Sequence, residues 1–192
     1  MLSLGVSSEE DFARMKTYFS EQLLNQPEVL ETWGGNRSDT PEEKAKLFER
    51  MDAWRVRAQA GQTSWYGIFA TGAEGGSDQF LGSVGGYRYP DSADTAPFNG
   101  AVEMVWNIVP SEWGKGHGAS AARAFMNSVV TDVYDFSYVY ASALATNERS
   151  IRLAKSLGMD LWNIPAEMGK RPDYLDRRGK PIFRISRDAL LG

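Results

Sequence analysis

The 192-residue chain contains no cysteine and a single histidine, His117. The first absence excludes disulfides, a thiolate nucleophile and cysteine-ligated zinc. The second excludes a histidine-rich metal site and leaves His117 as the only imidazole for a Ser-His-Asp triad. Positive charge is also scarce: 21 Lys and Arg against 25 Asp and Glu give a net charge of -4. Domains that grip nucleic acid usually carry the opposite balance, so no nucleic-acid partner is expected. No apolar stretch approaches the roughly 20 residues that cross a bilayer. The opening MLSLGVSSEEDF lacks the basic and long apolar regions of a secretory signal. The expectation is a cytoplasmic protein without a membrane partner. What is present suits a globular fold, with 42% hydrophobic and 24% charged residues. The length fits one domain spanning residues 1–192.

The pattern along the chain divides helices from strands. Ser7 or Ser8, followed by Glu10 and Asp11, reads as a helix start. Phe12, Met15, Phe19 and Leu23 then recur at helical spacing. Residues 26–36, with Pro27, Gly34 and Gly35, read as irregular. Thr40-Pro41-Glu42-Glu43 predicts a second capped helix carrying Leu47, Met51, Trp54 and Ala58 and ending at Gly61. Strands are predicted at Ser64–Ala70, Phe80–Tyr89 (bent at Gly85-Gly86) and Ala101–Val109, with loops over 71–79 and 90–100. A helix at Gly118–Val130, a strand at Tyr138–Ala145, a helix capped by Asn147 and closed by Gly158, and a strand at Pro181–Arg187 complete the order. Paired helices, antiparallel strands and then strand-helix-strand-helix-strand describe an α/β (α+β) layer on a mixed sheet.

The most informative stretch runs from Trp106 to Val130. A strand enters a short turn, three glycines alternate in Trp113-Gly114-Lys115-Gly116-His117-Gly118, and an amphipathic helix begins. Glycine permits torsions and close approaches that other residues forbid. The first N–H groups of a helix lack intrahelical partners, and its dipole favours anions. The place therefore suits a phosphate or diphosphate, against the reading of a glycine-rich helix entry with no ligand. A P-loop is excluded, because Lys115 is followed by Gly116 rather than Ser or Thr. A dinucleotide fingerprint needs Gly-x-Gly-x-x-Gly, and Gly114-x-Gly116-x-Gly118 is one residue short. That spacing disfavours a nucleotide-dependent oxidoreductase.

These residues resemble the acetyl-CoA diphosphate loop of the GNAT acyltransferases, usually Arg/Gln-x-x-Gly-x-Gly/Ala. They are most similar to the branch of RimJ/RimL-type ribosomal-protein N-acetyltransferases, where Trp often stands at the position of Trp113. A second segment, Asn147-Glu-Arg-Ser150 through Leu157-Gly158-Met159, is similar to the family's Asn-x-x-Ser…Leu-Gly-Phe. The resemblance covers nearly the whole chain. It departs from the pattern at Gly118-Ala119-Ser120, where Ala-Thr-Glu is more usual, and at Met159 in place of Phe. Ala154 stands where many relatives carry a Tyr proposed to protonate the departing thiolate.

The resemblance implies a mostly antiparallel central sheet flanked by helices, splayed between the fourth and fifth strands, here Ala101–Val109 and Tyr138–Ala145. It implies acetyl-CoA as co-substrate, no metal, and a primary amine of a small molecule or protein N-terminus as acceptor; dimers are common among relatives. The coenzyme would be held by Trp113, Gly114, Lys115, Gly116, His117, Gly118 and Ala119, and by backbone at Asn107, Ile108 and Val109. One N–H there would face the thioester oxygen and stabilise the oxyanion. An alkylamine of pKa about 10.4 is roughly one part in a thousand neutral at pH 7, so a base is needed. Glu103 is the first candidate, against the reading of a solvated strand residue. Asn147 and Ser150 are candidates to contact coenzyme or orient the reacting groups, against a plain helix cap and a first-turn serine. Lys115 would pair with phosphate or face solvent. Trp33, Trp54, Trp65 and Trp106 would line an acceptor pocket or pack the core. Around Gln22–Thr40, a segment that also holds Trp33 and Arg37, the carboxylates Glu28, Glu31 and Asp39 suit a cationic acceptor or plain surface. The basic pairs Lys170-Arg171 and Arg177-Arg178 suit phosphate, an acidic partner or neither. A non-catalytic acyl-CoA-binding or sensor module on the same fold is the alternative.

Overall fold

The computed structural model describes residues 2–3, 8–33, 40–70, 79–88, 98–164 and 180–192. The predicted loops over 71–79 and 90–100 therefore lie outside the described residues, apart from Gln79 and residues 98–100. So do Tyr89, Gly34, Gly35, Arg37, Asp39 and the two basic pairs, and likewise the side chain of Trp33. The chain packs as two units, Met1–Gly85 with Trp106–Ala122, and Gly86–Val105 with Arg123–Gly192. The strands form a mixed, mostly antiparallel, open sheet flanked by helices, in the order β1-β2-β3-β4-β5-β7-β6. β1 is Leu2–Ser3, β2 Thr63–Ala70, β3 Gln79–Arg88, β4 Ala101–Ile108, β5 Tyr138–Ser142, β6 Asp160–Leu161 and β7 Ile182–Ser186.

In the first unit, local chemistry sets the helix starts. The Ser8 hydroxyl accepts from the Asp11 N–H and opens α1 (Glu9–Tyr18), which buries Phe12 and Met15. A π-helical turn at Phe19–Leu24 continues it and buries Phe19, Leu23 and Leu24. The irregular segment expected over 26–36 is corrected: Pro27–Trp33 is a helix, α2. Pro27 occupies its first position, where a missing N–H and a fixed φ are harmless, so it starts the helix rather than breaking one. Thr40 caps α3 (Pro41–Gln59) by accepting from the Glu43 N–H, while its hydroxyl donates to Glu43 Oε2. Such a cap is worth about 1 kcal/mol. Gly61, at φ +70°, follows the end of α3.

The apolar stripes of α1 and α3 meet β2 in an aromatic core. Trp54 stacks on Trp65 with centroids 4.8 Å apart, and Phe19 meets both edge-on. Tyr18 stacks on Phe80 at 5.3 Å. A Cβ on Gly85 would lie 2.8 Å from the Trp65 ring, so the glycine is required by close packing. Gly82 is more constrained still. At φ +150° its absent Cβ would stand 2.1 Å from the Asn107 carbonyl oxygen, so only glycine lets β3 run this close to β4.

In the second unit, β4 pairs in parallel with β5 through Ala101↔Tyr138, Val102↔Val139 and Glu103↔Tyr140 only. The two strands then part, as the splay predicted from the resemblance requires. β5 pairs antiparallel with β7 over five residues, and β6 joins the edge of β7. β5 ends at Ser142, short of the expected Ala145, because a turn closed by the Asn147 N–H on the Leu144 carbonyl follows. The helix of residues 117–133, which begins in the first unit and continues into the second from Arg123, runs as α4 (His117–Ala124), a π-helical stretch Phe125–Val130 and α5 (Thr131–Val133). α6 (Glu148–Ser156) is followed by Gly158 at φ +82°. Arg187, expected in the last strand, begins α7 (Arg187–Leu191), since the Ser186 hydroxyl accepts from the Ala189 N–H and caps it. The core of this unit holds Phe98, Tyr138, Tyr140, Trp162 and Ile182.

Candidate functional site

The glycine loop belongs to the first unit. β4 ends at Ile108, and the Val109 N–H donates to the Leu81 carbonyl at 3.0 Å. Pro110–Glu112 then makes one 3-10 turn, closed by Trp113 N–H on the Pro110 carbonyl. The Trp113 indole N–H reaches back to the Ile108 carbonyl at 2.7 Å, pinning the turn to the strand end. Gly114 and Gly116 follow at φ +78° and +84°. A side chain there would carry a backbone penalty of roughly 1–2 kcal/mol. A Cβ on either glycine would meet nothing within 4 Å, so these glycines serve backbone conformation and leave open space above the loop.

α4 starts at His117, one residue before the sequence expectation. Its first intrahelical bond runs from Ser120 N–H to the Gly116 carbonyl at 3.0 Å. The N–H groups of His117, Gly118 and Ala119 thus precede the helical ladder, at the positive end of the helix dipole. That arrangement is fit to receive an anion, and the room for one exists at Gly114 and Gly116.

The structure adds a residue that sequence reasoning missed. Glu112 is a buried carboxylate, 8% exposed, directly before the loop. Its Oε1 accepts from Lys115 Nζ at 3.0 Å and from Gln79 Nε2 at 3.4 Å. Its Oε2 lies 3.3 Å from His117 Nε2. Lys115, expected to meet phosphate or solvent, is thus held by a protein carboxylate while remaining half exposed. The only signal in the sequence was an acid three residues before a lysine, too common to single out.

The strand-end residues Asn107, Ile108 and Val109 are all engaged within their unit. Asn107 is buried, and its Nδ2 makes a long 3.5 Å contact to Ser83 Oγ. The Ile108 carbonyl takes the Trp113 indole, and the Val109 N–H is spent on Leu81. Trp54 and Trp65 stack together in the core, which favours packing over pocket lining for that pair.

The second unit holds the other candidates. Glu103 is 4% exposed, so it is no solvated strand residue. The Tyr140 hydroxyl donates to Glu103 Oε2 at 2.9 Å. Asn147 caps α6: its Oδ1 accepts from the Ser150 N–H at 3.1 Å. Ala154 and Met159 are each 1% exposed and pack in the interior. Among the described residues no three His, Asp or Glu gather as a metal site, and no helix is long and apolar enough to cross a membrane.

Comparison with known proteins defines the class. The family model described as "Acetyltransferase (GNAT) domain" matches residues 6–160, and the chain belongs to that family. Membership supports acyl-CoA-dependent acyl transfer as the general activity. Several solved structures share the fold. An aminoglycoside acetyltransferase, AAC(6')-Ib, in complex with coenzyme A is 20% identical, with 96% of this chain and 94% of that chain covered and a TM-score of 0.65. RimL, a ribosomal L7/L12 alpha-N-protein acetyltransferase in complex with coenzyme A, is 15% identical over 95% and 92% of the two chains, at a TM-score of 0.65. A spermidine N-acetyltransferase from Vibrio cholerae in complex with coenzyme A and spermine is 12% identical over 97% and 95%, at 0.60. A sequence search of curated proteins found no significant match.

Proposed function

We propose that the chain transfers an acetyl group from acetyl-CoA to a primary amine of a small molecule or a protein N-terminus, by direct attack in a ternary complex. We place it in the RimJ/RimL-type branch on the strength of Trp113 and the loop that follows. One observation carries the reading: Gly114 and Gly116 at positive φ open space before the unladdered amides of His117, Gly118 and Ala119. The names of three structural neighbours support an amine acceptor, since they describe an aminoglycoside, a polyamine and a protein α-amine acetyltransferase.

The coenzyme supplies a thioester whose carbonyl carbon takes the nucleophile. The amides of residues 113–119, with Lys115, hold its diphosphate. Backbone at Asn107, Ile108 and Val109 guides the pantetheine arm and polarises the carbonyl. Since the Val109 N–H is already committed, the oxyanion contact falls to Asn107 or Ile108. Glu103 accepts the proton that the attacking amine loses. A C–N bond forms, the C–S bond breaks, and the departing thiolate takes a proton from solvent. A thiol of pKa about 8.5 leaves without much assistance, so alanine at position 154 is tolerable. Asn147 and Ser150 orient the coenzyme beside their capping bond.

The buried Ala154 in place of a tyrosine also favours a second reading, an acyl-CoA-binding or sensor module without turnover. Thiol release decides between them. The chain has no cysteine, so a thiol reagent meets no protein background. Acetyl-CoA with a panel of amines and N-terminal peptides is expected to yield free thiol with at least one acceptor. Saturable coenzyme binding with no thiol release across the panel would support the sensor instead.

A further inference from the structure

The buried carboxylate of Glu112 is costly where it stands. It is nine-tenths hidden from water and sits at the mouth of a loop shaped for an anion. A carboxylate so placed loses hydration and repels a diphosphate, so it must be compensated by its partners. Those partners come from three separate pieces of the unit: Gln79 at the start of β3, Lys115 inside the loop, and His117 at the first position of α4. The segment between Glu112 and His117 contains two glycines at positive φ, the residues that lose most conformational freedom on ordering. On the other side of the turn, Trp113 is tied to Ile108. The indole bond pins the turn to the strand end, and the contacts of Glu112 join the turn to the loop and to the helix start.

We propose that Glu112 is a positioning residue of the coenzyme loop. Its carboxylate binds Lys115 inside the loop and lies against the imidazole of His117, the first residue of α4, and so sets the amides of residues 113–119 before the coenzyme arrives. The inference rests on the coenzyme-binding reading of that loop. Preorganisation raises affinity by removing the ordering cost from the binding step. Lys115 balances the carboxylate charge that the diphosphate would otherwise meet.

The test measures coenzyme A binding by calorimetry at fixed ionic strength for the wild type, Glu112→Ala and Glu112→Gln. The expected result is a Kd raised about tenfold or more in Glu112→Ala. Glu112→Gln, which keeps an acceptor oxygen for Gln79 and Lys115, falls between that variant and the wild type. The KM for acetyl-CoA follows the Kd while kcat stays within about twofold, a split that follows from lost ground-state binding. His117, the only histidine, supplies a second readout: its imidazole proton resonances move in Glu112→Ala before coenzyme is added. Binding as tight as or tighter than wild type in Glu112→Ala overturns the proposal, because it would mean that the carboxylate only repels the ligand. If Glu112→Ala loses its near-ultraviolet circular dichroism, Glu112→Gln decides by the same criterion: weaker binding supports, equal or tighter binding overturns. Failure of the wild type itself to bind coenzyme A would overturn the function and this inference together, an outcome distinct from wild-type binding with indifferent variants.

Discussion

Tyr140 donates its phenolic hydrogen to Glu103 Oε2 across 2.9 Å, from the paired register position on the neighbouring parallel strand. Both side chains are buried, Tyr140 fully and Glu103 to 4% exposure. The bond holds the candidate base in one orientation and meets part of the cost of burying it. Two substitutions separate these effects. Glu103→Gln keeps an oxygen that can accept from Tyr140, so the melting temperature is expected to change little while kcat falls by about 10²–10⁴. Tyr140→Phe removes the donor from a buried carboxylate and is expected to cost about 1–3 kcal/mol in denaturant unfolding. An active Glu103→Gln enzyme would remove Glu103 from the chemistry.

Glycines at positive φ serve two different purposes here, and substitution distinguishes them. Gly82→Ala drives a Cβ into the Asn107 carbonyl. Overpacking of about 1–3 kcal/mol adds to a backbone penalty of similar size, so a large drop in stability is expected. Gly114→Ala and Gly116→Ala place a methyl group in open space. Their stability loss is expected to stay near the backbone term of roughly 1–2 kcal/mol, while the KM for acetyl-CoA rises disproportionately. Unfolding curves and steady-state kinetics on the same samples check both.

Asn147 is demonstrably a cap, through its bond from the Ser150 N–H. Asn147→Ala is expected to cost about 1 kcal/mol, whereas Asn147→Asp, an equally good cap, keeps stability. If Asn147 also meets the coenzyme, Asn147→Asp weakens coenzyme A binding through its added negative charge despite an unchanged melting temperature. Unchanged affinity in Asn147→Asp would reduce the residue to its capping role.

Alkaline pH probes the core of the second unit. Burial pushes the Tyr138 phenol well above its usual value of 10.0, with the nearby Arg184 guanidinium opposing in part. The folded chain therefore keeps this proton where the unfolded chain has released it. The resulting stability is fully present below about pH 10 and is lost as pH rises above it. In an absorbance titration of the eight tyrosines, at least one is expected to ionise only on alkaline unfolding. Replacement of Tyr138 by Phe should flatten that alkaline decline.

Much of this was legible in the residues because the signals were local. Ser8, Thr40 and Asn147 announce helix starts through hydroxyl or amide groups that cap them, and each does so. The loop was legible because glycine spacing encodes backbone torsion directly. The helix at Pro27–Trp33 was not, because Pro27 reads equally as a breaker or a first-turn residue until the preceding chain direction is known. The two-residue strands β1 and β6 carry no periodicity to detect. Glu103 is a candidate through the family resemblance, but its partner Tyr140 is 37 residues away and joined by strand register. Glu112 and Gln79 meet across 33 residues, a side-chain contact between a turn and a strand start that no local pattern announces.

In the proposed function the main-chain amides after Trp113 receive the coenzyme diphosphate. A titration of the ¹⁵N-labelled chain with coenzyme A, followed by amide resonances, tests it most directly. Saturable shifts are expected, concentrated at Gly114, Lys115, Gly116, His117, Gly118 and Ala119, and reduced when pantetheine lacking the diphosphate is used. Saturable binding that leaves those six amides unmoved, or no binding of coenzyme A at all, would contradict it.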